Sequence, residues 1–275
     1  MNRFWEIVKK FNDLMKSAIK GPNCIEICKG DCCSIKIDVP KVLAEEYIKR
    51  GYASKGDFIR SDVFSFKLRF DEKKGKCFLY DEKLNGCLVH DSKIKPPQCW
   101  IYPTNFSHPN KEMVSCKKSD GWRIIDLEKT KEAEKLLQYY VFFCQLEAKK
   151  EKRKLKERLS KEQLEVNLKP LLKNTAPTQI SGFKDTWDDI TILPSEGISL
   201  QLKKFCMEHN KKCFYILNND FLQCKSICDK ICDSLIDFLQ QNLFRYTKKQ
   251  GTDVNGEYSL IKLFIFIENS PSYHL

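Results

Sequence analysis

Phe4, Ile7, Val8, Phe11, Leu14, Met15, Ala18 and Ile19 recur at steps of three and four, and Gly21-Pro22 ends the run. That spacing predicts an amphipathic helix with Lys9, Lys10, Lys16 and Lys20 on its polar side. Such a helix either lies on a membrane or covers a core, and its few basic residues favour the core. Residues 34–39 alternate like a strand, and Pro40 opens a short helix that Gly51 closes. Extended segments are expected around 64–70 and 77–80, with a turn at Lys74-Gly75 between them. Residues 87–103 read as mostly loop, because Pro96-Pro97 cannot continue a helix.

Asp126 caps a long helix expected to reach about Leu159, and its apolar LLQYYVFF half must be buried. Ser160 with Gln163 resembles a capping box, restarting a helix that ends before Pro170. Residues 175–183 then read as a linker. Beyond it the pattern predicts a strand (191–193), a helix (198–209), a strand (212–217), a helix from Phe221 to about Tyr246, and a last strand (259–268). The expected fold class is α+β. A Cys-rich, loop-rich metal domain would occupy 1–127, a long helical connector and linker 128–182, and a small β-α-β-α-β domain 183–275.

A chain of 275 residues exceeds the usual single-domain length of about 100–200, so more than one domain is expected. Its 48 Lys and Arg against 37 Asp and Glu give a net charge of +11, which favours an anionic partner or simply a Lys-rich solvated surface. Residues 149–158 hold seven basic side chains against two acidic ones. A solvated helical face accounts for this run, and a nucleic-acid contact is the alternative.

Cysteine changes the picture most. Eight of the fourteen fall in residues 24–116: Cys24, Cys28, Cys32, Cys33, Cys77, Cys87, Cys99 and Cys116. Short gaps followed by long ones are the spacing of a metal site, in which a local loop supplies two or three sulfurs and distant segments close the shell. The opening residues lack the apolar core of a signal peptide, and no apolar run reaches the roughly 18–20 residues of a membrane span. A cytoplasmic location with reduced or metal-bound cysteines is therefore expected. Tetrahedral sulfur coordination suits zinc and iron–sulfur centres alike. Adjacent Cys32 and Cys33 rarely ligate one ion together, so one of them serves a second centre, hydrogen-bonds to the first, or acts as a redox thiol. Lys29, Lys36, Lys93 and Lys95 would offset thiolate charge, while His90 and His108 read as polar contacts rather than ligands.

The remaining cysteines read as core. Cys224, Cys228 and Cys232 repeat in steps of four, on the expected helix whose apolar side carries Leu222, Ile227, Ile231 and Leu235. Cys144, Cys206 and Cys213 read as isolated buried residues.

Cys24, Cys28, Cys32, Cys33, then Cys77-Phe78-Leu79, Gly86-Cys87 and Pro97-x-Cys99 resemble the YkgJ-type cysteine-cluster family, whose domain is described as zinc- or iron-chelating. The likeness covers about residues 22–120. The opening gaps here are three residues rather than two, and Pro96 and Trp100 stand where the family has arginines. Flagellin lysine N-methylases are distant relatives of that family, and the resemblance implies an iron–sulfur (4Fe–4S) centre more than zinc. The chain has no G-x-G nucleotide loop, no C-x3-C-x2-C run of radical S-adenosylmethionine enzymes, and no visible nucleophile with a paired base. The leading expectation is a metal-chelating protein whose C-terminal domain binds a protein partner or substrate. The alternatives are a structural zinc module docking on nucleic acid or protein, and a protein-modifying enzyme such as a lysine N-methylase.

Overall fold

The computed structural model describes residues 2–21, 23, 25–27, 29–61, 63–104, 123–194, 200–250 and 257–269. The chain forms two compact units, one of residues 1–59 and 63–149, the other of residues 60–62 and 150–275. Both combine helices with small antiparallel sheets, an α+β composition.

Up to Arg158 the elements are α1 (Asn2–Ala18), β1 (Ile19–Lys20), β2 (Asp38–Val39), α2 (Lys41–Lys49), β3 (Phe58–Arg60), β4 (Phe66–Leu68), β5 (Phe70–Asp71), β6 (Lys76–Cys77), β7 (Tyr80–Asp81), β8 (Gly86–Cys87), α3 (Gln98–Thr104), β9 (Arg123–Ile124) and α4 (Leu127–Arg158). The apolar stripe of α1 is buried as its spacing requires. Phe4, Ile7 and Val8 pack with Phe64, Tyr140 and Cys144, and Phe11, Met15 and Ile19 pack with Trp100 and Ala133. The helix thus covers a core, and Cys144 is part of it. Asn12, buried on the same helix, donates to the Lys95 carbonyl (3.1 Å) and accepts from Trp100 Nε1 (2.8 Å). These two bonds fix the 95–100 segment, where Cys99 lies, against α1.

Asp126 caps α4 by accepting from the Lys129 N–H (3.0 Å), and Ser160 caps the next helix by accepting from Gln163. The 87–103 stretch departs from expectation: Gln98–Thr104 is helical. Pro97 closes off any preceding helix but sits well immediately before a new one, since its fixed φ suits a helix start.

The second unit continues with α5 (Lys161–Asn167), α6 (Lys169–Lys173), β10 (Ile180–Asp185), β11 (Ile190–Pro194), α7 (Leu200–His209), α8 (Phe214–Leu217), α9 (Asp229–Gln250), β12 (Glu257–Ser259) and α10 (Leu260–Glu268). One antiparallel sheet runs β11-β10-β12, and helices cover an apolar core containing Ile180, Phe183, Leu235, Leu239, Tyr258 and Leu263. Gly182 sits at a bulge where a Cβ would stand 2.1 Å from the Tyr258 carbonyl oxygen, so the two strands approach too closely for any side chain.

Four expectations fail in this unit. The 175–183 linker contains the start of the central strand, with Ile180 and Phe183 fully buried. Residues 214–217 form a helical turn instead of a strand. The tail at 260–268 is a helix, because Leu260, Leu263 and Ile267 are buried at helical spacing while Ile261 and Ile265 face outward. The long helix begins at Asp229, not Phe221, so Cys224 and Cys228 precede it and do not share its face. The β-α-β-α-β order is accordingly replaced by a hairpin, three helices, a strand and a final helix.

The basic run at 149–158 is partly interior. Glu151 and Leu155 are buried, Lys154 pairs with Glu151 (3.2 Å), and Arg158 pairs with Asp185 (2.9 Å). Arg60 reaches the same carboxylate at 2.9 Å. Among the described residues no helix is long and apolar enough to cross a membrane.

Candidate metal centre

In the first unit, four separate segments bring cysteines to the lining of one cavity. Lys29 and Gly30 both take left-handed backbone (φ 46° and 69°), turning the chain into a 3-10 helix at Asp31–Ser34. The Gly30 carbonyl accepts from the Cys33 N–H (2.8 Å) and from Lys76 Nζ (2.9 Å). A Cβ at Gly30 would lie 2.8 Å from the Tyr80 ring, so glycine serves both the turn and the packing.

Cys77 and Cys87 come from two hairpins built alike. Phe70-Asp-Glu-Lys-Lys-Gly-Lys-Cys77 and Tyr80-Asp-Glu-Lys-Leu-Asn-Gly-Cys87 share an aromatic-Asp-Glu-Lys opening and a cysteine seven positions on. In each, the aromatic residue pairs with the cysteine and the aspartate with the residue before it. Gly75 and Asn85, at matching positions, both take positive φ (63° and 49°). The aspartates close the turns: Asp71 Oδ1 accepts from the Lys73 and Lys74 amides, and Asp81 Oδ1 from the Leu84 amide (2.9 Å). This duplicated hairpin is a sequence signal that cysteine spacing alone overlooks. Cys99 enters from the first turn of α3, behind Pro96-Pro97.

All five thiols, Cys32, Cys33, Cys77, Cys87 and Cys99, line one cavity of about 50 Å³. Its walls include Ile35, Ile37, Leu68 and Leu79, and among the described residues no carboxylate reaches it. Burial pushes the Cys77 thiol up to about 11, while the Leu79 backbone N–H holds it down. Burial likewise raises Cys87, opposed by the Val89 N–H and by Lys95, and raises Cys99 well above its ordinary value. The two amides sit two residues beyond their cysteines, an arrangement that stabilises sulfur anions. The Cys33 S–H hydrogen-bonds to the Cys32 sulfur, lowering Cys32 and raising Cys33, and Lys95 and Lys76 add positive charge beside Cys32.

Lys95 is 6% exposed, with its ammonium 3.9 Å from the Trp100 ring centroid and 3.5 Å from His90 Nδ1. His90 lines the cavity too, and burial, then Lys95, lowers its pKa. Cys24, Cys28, Cys116 and His108 lie outside the described residues. Among the described residues, no group of three or more His, Cys, Asp or Glu side chains already stands in a metal-holding arrangement. The donor set nevertheless suits a soft cation: sulfur dominates, hard oxygen donors are missing from the described lining, and a buried ammonium stands beside the thiols.

No curated protein and no solved structure matches the chain. Residues 23–136 match the model of the CxxCxxCC family, described as a "Putative zinc- or iron-chelating domain", and span the whole cavity lining. Over that segment, which is under half of the chain, the sequence is similar to this family of zinc- or iron-chelating domains.

Proposed function

We propose that the first unit holds an iron–sulfur centre of the 4Fe–4S type through Cys32, Cys77, Cys87 and Cys99, with Cys33 donating its S–H to Cys32. Cys24, Cys28 and Cys116 are the remaining sulfur donors of this segment and would complete the shell or a second centre. One observation carries the reading: thiols from a 3-10 turn, two hairpins and a helix start line the same cavity.

Energetics support it. Each hairpin has only two strand pairs, and an isolated two-stranded hairpin is marginal in water. Burying neutral thiols gives little beyond ordinary packing, whereas apparent metal binding by thiolates is worth about 10–16 kcal/mol in small zinc modules. That rivals the roughly 5–15 kcal/mol that stabilises a whole domain. Four cysteines satisfy a zinc ion or a 4Fe–4S cluster alike, so the preference for iron–sulfur rests on the family resemblance. Lys95 and Lys76 would offset the negative charge of a thiolate-bound centre, and the Leu79 and Val89 amides would hold two of the sulfurs as anions.

The test is metal and acid-labile sulfide analysis of protein purified without oxygen. Iron and sulfide in about equal amounts are expected. Colourless protein with stoichiometric zinc and no sulfide would overturn the iron–sulfur assignment, and metal-free protein would overturn chelation altogether.

A further inference from the structure

The second unit contains another convergence of thiols, in residues that spacing alone places in a core. Cys206 lies in the last turns of α7, Cys213 is the N-cap of α8, Cys224 ends the 3-10 turn at Phe221–Gln223, and Cys228 directly precedes α9. All four line one cavity of about 290 Å³, whose described lining has no carboxylate or histidine. Loops and helix ends supply the donors, with gaps of six, ten and three residues, the mixture of short and long steps that closes a shell.

Core packing accounts for Cys206, which is buried with the apolar residues of this unit, but not for the other three. Free cysteines rank among the most buried residues, yet Cys228 is exposed and Cys213 and Cys224 are only half-buried. Cys232, by contrast, is fully buried, its S–H directed at the Ile227 carbonyl (3.7 Å), and it does not line the cavity. The sulfurs also have the neighbours that a ligand needs. Asn210 Nδ2 donates to Cys228 Sγ at 3.7 Å. The Cys224 S–H donates to the Ser226 carbonyl at 3.2 Å, a bond that metal binding would replace.

We propose that Cys206, Cys213, Cys224 and Cys228 form a second metal site, a tetrathiolate centre for a thiophilic divalent cation of the zinc type. Four protein ligands leave no open position, so the site is structural and staples α7, α8 and the start of α9 together. Side-chain rotations bring the thiols from the cavity wall onto the ion, and protons are released as sulfur–metal bonds form.

The test uses the full chain, demetallated by a chelator under reductant and without oxygen, then titrated with Zn2+ alone. Iodoacetamide labelling is read for each cysteine by peptide mass spectrometry, so events in the first unit are scored separately. Only free thiolate reacts, so Zn2+ is expected to slow labelling of Cys213, Cys224 and Cys228 by at least ~10-fold while Cys232 is unaffected. The doubly substituted C224S/C228S chain is expected to bind one equivalent less zinc and to lose protection at Cys213. Unchanged labelling rates with Zn2+ would overturn the proposal. So would cysteines that resist labelling until reduced, whatever the metal, because those would be disulfides. The wild-type labelling decides the matter even if the variant fails to fold.

Discussion

The two cysteine cavities are built on opposite plans. In the first unit, Cys77 and Cys87 sit on strands of two residues, the turns are closed by Asp71 and Asp81, and a buried Lys95 stands beside the sulfurs. In the second unit, the four thiols lie at the ends of helices already anchored in a large apolar core, and Cys228 reaches solvent. The lesson concerns dependence. Where regular structure is minimal, the loops must lean on whatever the sulfurs bind. Where a core exists, a centre can only add to it.

The strongest way to break that comparison is to remove sulfurs one at a time. C77S, C87S and C99S are each expected to abolish metal binding in the first unit and to unfold its hairpins, read by metal analysis and hydrogen exchange. C144S should keep the metal, since Cys144 packs among Phe4, Phe64 and Tyr140 outside the cavity lining. Equal metal loss from all four would refute the assignment.

The second unit should instead fail through its interior. Asp185 is paired with Arg60 and Arg158, all three side chains at most 11% exposed. Asp185→Ala takes the carboxylate from the buried Arg158 guanidinium and leaves Arg60 with Glu151 at 3.7 Å, and should cost about 3–5 kcal/mol in denaturant unfolding. C228S should cost far less. A larger loss from C228S than from Asp185→Ala would show that the second unit leans on its thiols as much as the first.

Gly30→Ala sharpens the account of the first cavity. Left-handed backbone costs a non-glycine residue roughly 1–2 kcal/mol, and the new Cβ would meet Tyr80 at 2.8 Å. Weaker metal retention under chelator competition is expected, and unchanged retention would show that this turn does not place Cys32 and Cys33.

The smallest effect is in the chemistry of the metal-free thiols. Only thiolate is alkylated, and burial moves Cys77 from 9.0 to about 11, so its thiolate fraction at pH 8 is about a hundredfold below that of an ordinary thiol. Exposed Cys228 should be alkylated first and Cys77 later. The Cys77 rate should keep climbing as pH rises through about 11. A Cys77 rate that levels off as early as that of a free thiol in a short peptide would contradict the effect of burial.

The sequence made part of this legible. The α1 stripe and the Asp126 and Ser160 caps are local signals found where local chemistry puts them, and five of the eight gathered cysteines line one cavity. What escaped depends on tertiary context. A β-branched, aromatic tail reads as strand until Leu260, Leu263 and Ile267 are seen buried on one helical face. The 175–183 stretch reads as linker although Ile180 and Phe183 within it sit in the core. Steps of four among Cys224, Cys228 and Cys232 suggest one helix, yet α9 begins only at Asp229, which separates Cys232 from the other two. The repeated aromatic-Asp-Glu-Lys hairpin was visible in the letters, but its meaning needed the strand register.

X-ray absorption at the metal edge of anaerobically purified full-length protein tests the central claim most directly. A first shell of sulfur at iron–sulfur distances, lost in C99S and retained in C144S, is the predicted result. A shell dominated by oxygen or nitrogen would contradict the convergence of these thiols on a metal.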